Sequence, residues 1–194
     1  MRKLWMIGLL SALSAYGQGA EVSLSAGVGM FSDKNLGDLG VVNAARQTLR
    51  LDNGFRLAAR LDINSWRFFG HEIGYGYNRS KLVFGSQDQT GLGIHQGFYD
   101  FVAHALPEGS PVRPFACGGG GFSTFYPPGS SAFVGNGITK FGYNYGGGVK
   151  VKLAPVYGVR FDIRDYVTGK PFDVPNVKGL LHNIEVSAGF AILF

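Results

Sequence analysis

The stretch FRLAARLDI, residues 55–63, alternates apolar and polar side chains with a period of two residues. One set of positions is wholly apolar: Phe55, Leu57, Ala59, Leu61 and Ile63. The other set carries Arg56, Ala58, Arg60 and Asp62. Because successive side chains of a β-strand point to opposite faces, this period predicts a strand with one apolar face and one charged face.

The same alternation recurs along the chain, although less regularly in some places than in others. It is found in seven further segments: residues 21–31, 66–78, 92–106, 112–125, 140–153, 156–167 and 182–194. The segment VRPFACGGGGFSTF is so rich in glycine that the pattern does not assign the faces around Cys117. Together with residues 55–63, these segments give eight predicted strands.

The predicted connections between the strands are alternately short and long. Tight turns are expected at residues 64–65, 107–111 and 154–155. Longer loops are expected for about 23 residues after Phe31, and for about 13–15 residues around each of Ser80, Pro127 and Lys170. Short turns at one end and long loops at the other are typical of outer-membrane barrels. The predicted fold is therefore an all-β, eight-stranded antiparallel up-and-down transmembrane β-barrel with four extracellular loops.

The first 20 residues have the organisation of a secretory signal peptide. Arg2 and Lys3 precede a short apolar core, residues 4–15, and small residues follow it. This pattern predicts cleavage between Gly17 and Glu21, and about 12 apolar residues are too few to cross a bilayer. We therefore expect a signal peptide at residues 1–20 and a single barrel domain at residues 21–194.

Composition excludes several other classes of protein. Without Arg2 and Lys3, the 18 basic residues fall to 16 against 13 acidic residues, so the expected mature chain is only mildly basic. Nucleic-acid binding requires a clustered basic face, which the sequence lacks. A single cysteine, Cys117, excludes an intramolecular disulfide framework.

Charge distribution indicates which face of the strands points into the barrel. An eight-stranded barrel encloses a lumen that side chains just fill, so buried charges there must balance one another. The polar faces carry six cations and five anions, which we predict to form an interior charge network: Arg56, Arg60, Asp62, Glu72, Asp100, Lys150, Lys152, Arg160, Asp162, Arg164 and Glu185. The apolar faces are then left to contact lipid.

Aromatic residues cluster near both ends of the predicted strands. Near the short turns lie Trp66, Phe68, Phe69 and Phe115. Near the long loops lie Tyr75, Tyr77, Phe125, Tyr126, Phe141 and Tyr143. Two such sets are expected for amphipathic rings at the two membrane interfaces.

Four segments resemble the strand patterns of the small outer-membrane β-barrels of Gram-negative bacteria, the OmpA-like and Opa/OmpX-like group: HEIGYGY, VRPFACGGGGF, VYGVRFDIRDYV and SAGFAILF. The resemblance covers the whole predicted barrel and none of the peptidoglycan-binding half of OmpA. It implies a monomer in the outer membrane, in contact with its lipid and lipopolysaccharide. It further implies handling by periplasmic chaperones and by the barrel assembly machinery, which reads a C-terminal signal formed here by Phe190, Ile192 and Phe194.

No motif in the sequence forms a convincing catalytic or cofactor-binding site. The glycine-rich segments lack the ending and the strand-to-helix context of a phosphate-binding loop. His182 has the opposite strand parity to Glu185 and Ser187, so these residues do not form a hydrolytic site. We therefore expect no catalytic residues, no metal and no cofactor. The expected role is structural or one of surface contact, and the alternatives are a narrow channel, an outer-membrane lipid-modifying enzyme and a secreted lipocalin-like barrel.

Overall fold

The computed structural model describes residues 19–32, 34–42, 45–84, 88–127, 129–132, 135–172 and 179–194. Residues 1–18, most of the predicted signal peptide, lie outside this part of the chain. Nine strands form one sheet: β1 (Ala20–Phe31), β2 (Asn35–Val42), β3 (Ala45–Trp66), β4 (Phe69–Phe84), β5 (Asp88–His104), β6 (Val112–Tyr126), β7 (Ile138–Ala154), β8 (Tyr157–Gly169) and β9 (Leu180–Leu193). Among the described residues no helix is long and apolar enough to span a membrane.

Eight of these strands close into an antiparallel barrel, which confirms the predicted fold class. Neighbouring strands pair in the order β1-β9-β8-β7-β6-β5-β4-β3, and β3 pairs with β1. The closing pair β1–β9 runs in register from Glu21 opposite Leu193 to Phe31 opposite Asn183. Closure satisfies the backbone of every barrel strand on both sides, which a bilayer requires.

The ninth strand, β2, replaces part of the predicted first loop. It pairs with β3 alone, so β2 and the first part of β3 form a hairpin beyond the barrel wall. A bulge in β3 between Asp52 and Phe55 inserts one residue opposite β4. Because one extra residue reverses side-chain parity, Leu49 and Leu51 turn inward above the bulge.

Two other expected connections differ from the structure. The loop expected around Ser80 is mostly strand, because β4 runs to Phe84 and β5 begins at Asp88. The turn expected at residues 64–65 lies instead at Arg67 and Phe68, since β3 continues to Trp66. The connections at residues 105–111 and 155–156 lie at the same end, which we call the short-turn end. The opposite end is the long-loop end.

Interior glycines make room for the larger side chains of the lumen. A methyl group on Gly76 would lie 2.5 Å from the guanidinium of Arg56, and one on Gly74 would collide with the ring of Phe98. Glycine has no Cβ, so long or aromatic side chains from neighbouring strands lie directly over its backbone. The alternation of glycine with apolar residues in β4 therefore fixes where Arg56 and Phe98 pack.

Candidate functional site

The barrel interior holds ten of the eleven charged residues predicted to lie there. Nine of them are at most 3% exposed and Lys150 is 8% exposed. Lys152 is the exception, because it lies near the end of β7 and its side chain is exposed at the short-turn mouth. Its placement in the interior network was therefore wrong, although it has the same strand parity as Lys150.

Arg160 of β8 is the most highly connected residue of the interior. Its Nη1 lies 2.9 Å from Asp62 Oδ2 and its Nη2 lies 2.9 Å from Glu72 Oε2. Its Nε donates to Asp162 Oδ2 at 2.9 Å, and Nη1 also donates to Ser23 Oγ at 3.0 Å. These partners come from β1, β3, β4 and β8, so a single guanidinium joins strands from opposite sides of the barrel.

A second centre surrounds Arg164, four residues beyond Arg160 on the same face of β8. Its Nη1 lies 2.6 Å from Glu72 Oε1 and 2.8 Å from Asp100 Oδ2, and its Nη2 lies 2.9 Å from Asp162 Oδ1. Glu72 and Asp162 therefore each bridge Arg160 and Arg164. Bridging carboxylates place alternating charges in one continuous cluster, which offsets the desolvation cost of each ion.

Arg56 and Arg60 attach the upper part of the network to β9. Arg56 Nε lies 2.8 Å from Glu185 Oε2, and Arg60 Nη2 lies 2.5 Å from Glu185 Oε1. The hydroxyl of Tyr166 donates to the same carboxylate at 2.9 Å, and its ring lies 4.4 Å beneath the Arg56 guanidinium. Arg56 also donates to the side chain of Gln96. With Ser187, Glu185 thus has four donors, and it is fully buried.

Sequence reasoning missed two charged members of the interior, Glu21 and Arg113. Glu21 lies 3.0 Å from Lys150 Nζ and 3.5 Å from Arg160 Nη1. It has the same parity as Ser23 and Ser25, and this signal could have identified it. Arg113 precedes the glycine-rich stretch, whose faces the pattern did not assign. With both included, the buried charged residues among those described number six cations and six anions.

Above the charges the lumen is largely apolar, which the sequence pattern did not predict. A cluster of buried side chains from six barrel strands and β2 fills the long-loop end: Phe31, Leu36, Leu49, Leu51, Leu82, Leu92, Ile94, Phe125 and Leu181. Phe172, in the connection after β8, packs against it. Leu36 is fully buried, so the hairpin outside the wall contributes a side chain that covers the barrel.

The outward face is mostly apolar and aromatic, with two corrections to the predicted aromatic sets. Phe115 and Phe125 are 6% and 1% exposed, so both point into the barrel. Of the other eight, Tyr77 and Tyr126 are half-buried, and the rest are exposed: Trp66, Phe68, Phe69, Tyr75, Phe141 and Tyr143. Phe115 packs inward because Gly148 lies opposite it in β7 and leaves space for its ring.

Polar groups on the outward face are paired with tyrosine hydroxyls. Asp165 Oδ2 accepts from Tyr145 at 3.0 Å and lies 2.6 Å from His182 Nδ1. His182 is therefore on the opposite side of the wall from Glu185 and Ser187, which hydrogen-bond to each other inside. Within the described ranges no group of three or more His, Cys, Asp or Glu side chains is arranged to hold a metal ion.

The closed barrel, charged within and apolar without, is the architecture of a transmembrane β-barrel protein. A family model described as "Outer membrane protein beta-barrel domain" matches residues 4–191, and the chain belongs to this family. Membership of this family indicates an outer-membrane location and argues against the alternative of a secreted lipocalin-like barrel. No protein of curated function matches the sequence.

Solved structures of small outer-membrane proteins share the fold at low sequence identity. OprG from Pseudomonas aeruginosa superposes with a TM-score of 0.61 at 9% identity, over 90% of this chain and 96% of that one. Neisserial surface protein A gives 0.59 at 17% identity, over 92% and 97%. The N-terminal barrel of Pseudomonas aeruginosa OprF gives 0.53 at 10% identity, over 90% and 97%. These likenesses confirm the resemblance to small outer-membrane barrels.

Proposed function

We propose that this protein is a sealed, non-enzymatic barrel that serves the outer membrane as a structural and surface-contact element. The observation that carries the proposal is the complete burial of the central ions. Arg56, Glu72, Asp100, Arg160 and Glu185 are all 0% exposed, so no water-sized path reaches them. A conducting pore needs a continuous aqueous path along its lining, which this packing does not leave.

Two layers seal the lumen by different physical means. The ion cluster fills the half nearer the short turns, and the apolar cluster fills the long-loop half. A hydrated ion would have to displace paired charges and then enter a region lined mainly by apolar side chains. Both steps are costly, because buried ion pairs lose partners and apolar surroundings do not solvate charge.

The proposed orientation places the long-loop end outside the cell and the short turns in the periplasm, as in barrels of this type. Four extracellular loops, export by a signal peptide at residues 1–20, and insertion as a monomer by chaperones and the assembly machinery belong to the same proposal. The contact role is assigned to the long-loop end, because rigid strands there carry exposed connections.

Two measurements test the sealed barrel. Outer membranes that contain the protein are analysed by gel electrophoresis with and without boiling, and a folded barrel is expected to migrate faster when unboiled. The purified protein is then added to planar bilayers, where we expect no stepwise conductance; a general porin in the same membranes controls sensitivity. A carbonate-extractable protein without a gel shift would contradict the barrel, and discrete conductance steps would contradict the seal.

A further inference from the structure

Exposed or half-buried cations lie at the long-loop end of the molecule, among them Lys34, Arg50 and Arg79. Lys34 lies 3.5 Å from Asp52, and the backbone N–H of Asn53 donates to the same carboxylate at 2.8 Å. The hydrogen bond from Asn53, and to a smaller extent the charge of Lys34, hold the pKa of Asp52 below its usual value.

One of these cations, Arg79, borders a pocket on the outward face of the barrel. The pocket lies over β5, between β4 and β6, and has a volume of about 210 Å³. We call it the rim pocket, and its lining includes Tyr77, Arg79, Gly91, Gly93, His95, Tyr126 and Ser130. A water molecule occupies about 30 Å³ of liquid, so the rim pocket has room for a group several times larger.

The rim pocket has a floor of glycines, walls of aromatic rings and a cation at its upper edge. Gly91 and Gly93 form the floor, and a methyl group on Gly91 would lie 2.5 Å from Arg79 Nη2, so the guanidinium extends over this glycine. The rings of Tyr77 and Tyr126 lie 5.0 and 5.1 Å from the His95 ring. Nδ1 of His95 is hydrogen-bonded to the Tyr75 hydroxyl. Among the described residues, no carboxylate forms an ion pair with Arg79.

The height of the rim pocket matches the level of lipid head groups. Arg79 is ten residues beyond Phe69, the first residue of β4. A strand tilted by about 40° rises about 2.5 Å per residue along the barrel axis, which places Arg79 about 25 Å above the short-turn end. The apolar band of such barrels is about 25 Å tall. Tyr75 and Tyr77 therefore lie just inside the upper interface, and Arg79 and Lys81 lie at its boundary.

We propose that the rim pocket binds the phosphate group of a lipid in the surrounding outer leaflet. Arg79 supplies a charge-assisted hydrogen bond, and hydroxyls of Tyr77, Tyr126 and Ser130 supply further donors around the glycine floor. The pocket opens sideways, on the face that contacts acyl chains, so a phosphate that is part of a lipid reaches it without leaving the membrane. The proposal rests on the orientation given under the proposed function and adds a specific ligand class to it.

Three variants test separately the cation at the rim pocket, the free volume of the pocket and the overall positive charge of the protein. Arg79→Gln removes the cation. Gly93→Leu fills the pocket without a clash at the wall, because a methyl group there is 3.7 Å from Tyr77 and 4.0 Å from Tyr126. Arg67→Gln is the matched control, since Arg67 is exposed at the opposite end, beside Phe68. A gel shift between boiled and unboiled samples verifies that each variant is folded.

The binding of bisphosphorylated lipid A to the detergent-solubilised barrel is measured by native mass spectrometry. We expect Arg79→Gln and Gly93→Leu each to weaken binding about tenfold, the loss typical of one charge-assisted hydrogen bond, and Arg67→Gln to leave it unchanged. Lipid A from which both phosphates have been removed is expected to bind no better to the wild type than to Arg79→Gln. Equal binding by wild type, Arg79→Gln and Gly93→Leu would overturn the proposal.

Inorganic phosphate distinguishes a lipid site from a site for the free anion. We expect inorganic phosphate not to displace bound lipid A, because it lacks acyl chains; complete displacement would instead assign the pocket to free phosphate. The lipid-binding result does not depend on whether the lumen is sealed against ions. Arg79→Gln leaves the interior untouched, so conductance in planar bilayers would contradict the sealed barrel and leave the lipid measurement valid.

Discussion

Lys150 and Lys152 lie two residues apart on the same side of β7, and only one of them belongs to the interior network. Lys150 Nζ is 2.6 Å from Asp62 and 3.0 Å from Glu21, whereas Lys152 is exposed at the mouth. The difference arises from depth in the barrel. A cation enclosed by carboxylates is part of a balanced cluster, and one at the mouth is solvated by water.

This pair of lysines provides a direct test of the charge network. Lys150→Met removes one of the two cations that pair with Asp62 and Glu21 and leaves Arg160 alone with both, so we expect a loss of about 3 kcal/mol in the free energy of unfolding. Lys152→Met removes an equal charge from a solvated position, and we expect a change within about 0.5 kcal/mol. Urea unfolding of both variants in lipid vesicles measures the difference. Similar losses for the two variants would contradict a role for burial and pairing.

Strand parity predicted the interior residues well where the alternation was regular, and poorly elsewhere. It placed Arg56, Glu72 and Arg160 on the face that the structure buries. It did not assign Phe115, because the neighbouring run of glycines gives no contrast between faces. Depth along the strand is invisible to parity, which is why Lys152 was placed with Lys150. The sequence also did not predict which interior charges pair with one another, because the pairing depends on the register and tilt of the strands in the barrel.

At the level of the strands, two outward-facing leucines lie at different depths of the expected apolar band. Leu24 of β1 and Leu153 of β7 are 67% and 65% exposed, so their surroundings in the protein are similarly open. Leu24 is four residues from the start of β1, about 10 Å along the axis and near the middle of the apolar band. Leu153 is next to the end of β7, at the interface.

A lysine at each position is expected to cost different amounts of stability. For Leu24→Lys we expect a loss of about 2–4 kcal/mol, because a cation near the mid-plane is poorly solvated. For Leu153→Lys we expect about 0–1 kcal/mol, since the ammonium group reaches the head groups. Unfolding in phospholipid vesicles measures both, and repetition in detergent micelles controls for lost packing. Equal costs in vesicles would contradict the assignment of this face to lipid.

The hairpin of β2 and β3 shows where sequence patterns at the level of elements fail. The tripeptide Asp52, Asn53, Gly54 is a strong turn signal, and it ends the segment of about 23 residues after Phe31 that was predicted to be a loop. In the structure these residues form a bulge within one strand, because β4 pairs with β3 on both sides of it. Backbone pairing with β4, which is a tertiary interaction, therefore outweighs the local turn propensity of these residues.

At the scale of the whole molecule, closure depends on the two strands farthest apart in sequence. β1 pairs with β9 along its length, and the backbone N–H of Phe194 donates to the carbonyl of Ala20 at 2.8 Å. Such pairing is entirely non-local, so it forms slowly without help. Phe190, Ile192 and Phe194 are 50%, 40% and 47% exposed on the outward side of β9. They are therefore accessible for recognition before the barrel is surrounded by lipid.

Phe194→Ala tests whether this outward row is an assembly signal, and Phe161→Ala is the matched control. Phe161 is an outward phenylalanine of β8 with 53% exposure, so both changes remove a similar lipid contact. In cells we expect Phe194→Ala to lower the folded outer-membrane yield several-fold with normal export to the periplasm, and Phe161→Ala to leave the yield unchanged. In lipid vesicles without the assembly machinery, the two variants should fold to the same extent. Equal yields in cells would contradict the signal, and a folding defect of Phe194→Ala in vesicles would assign the effect to stability.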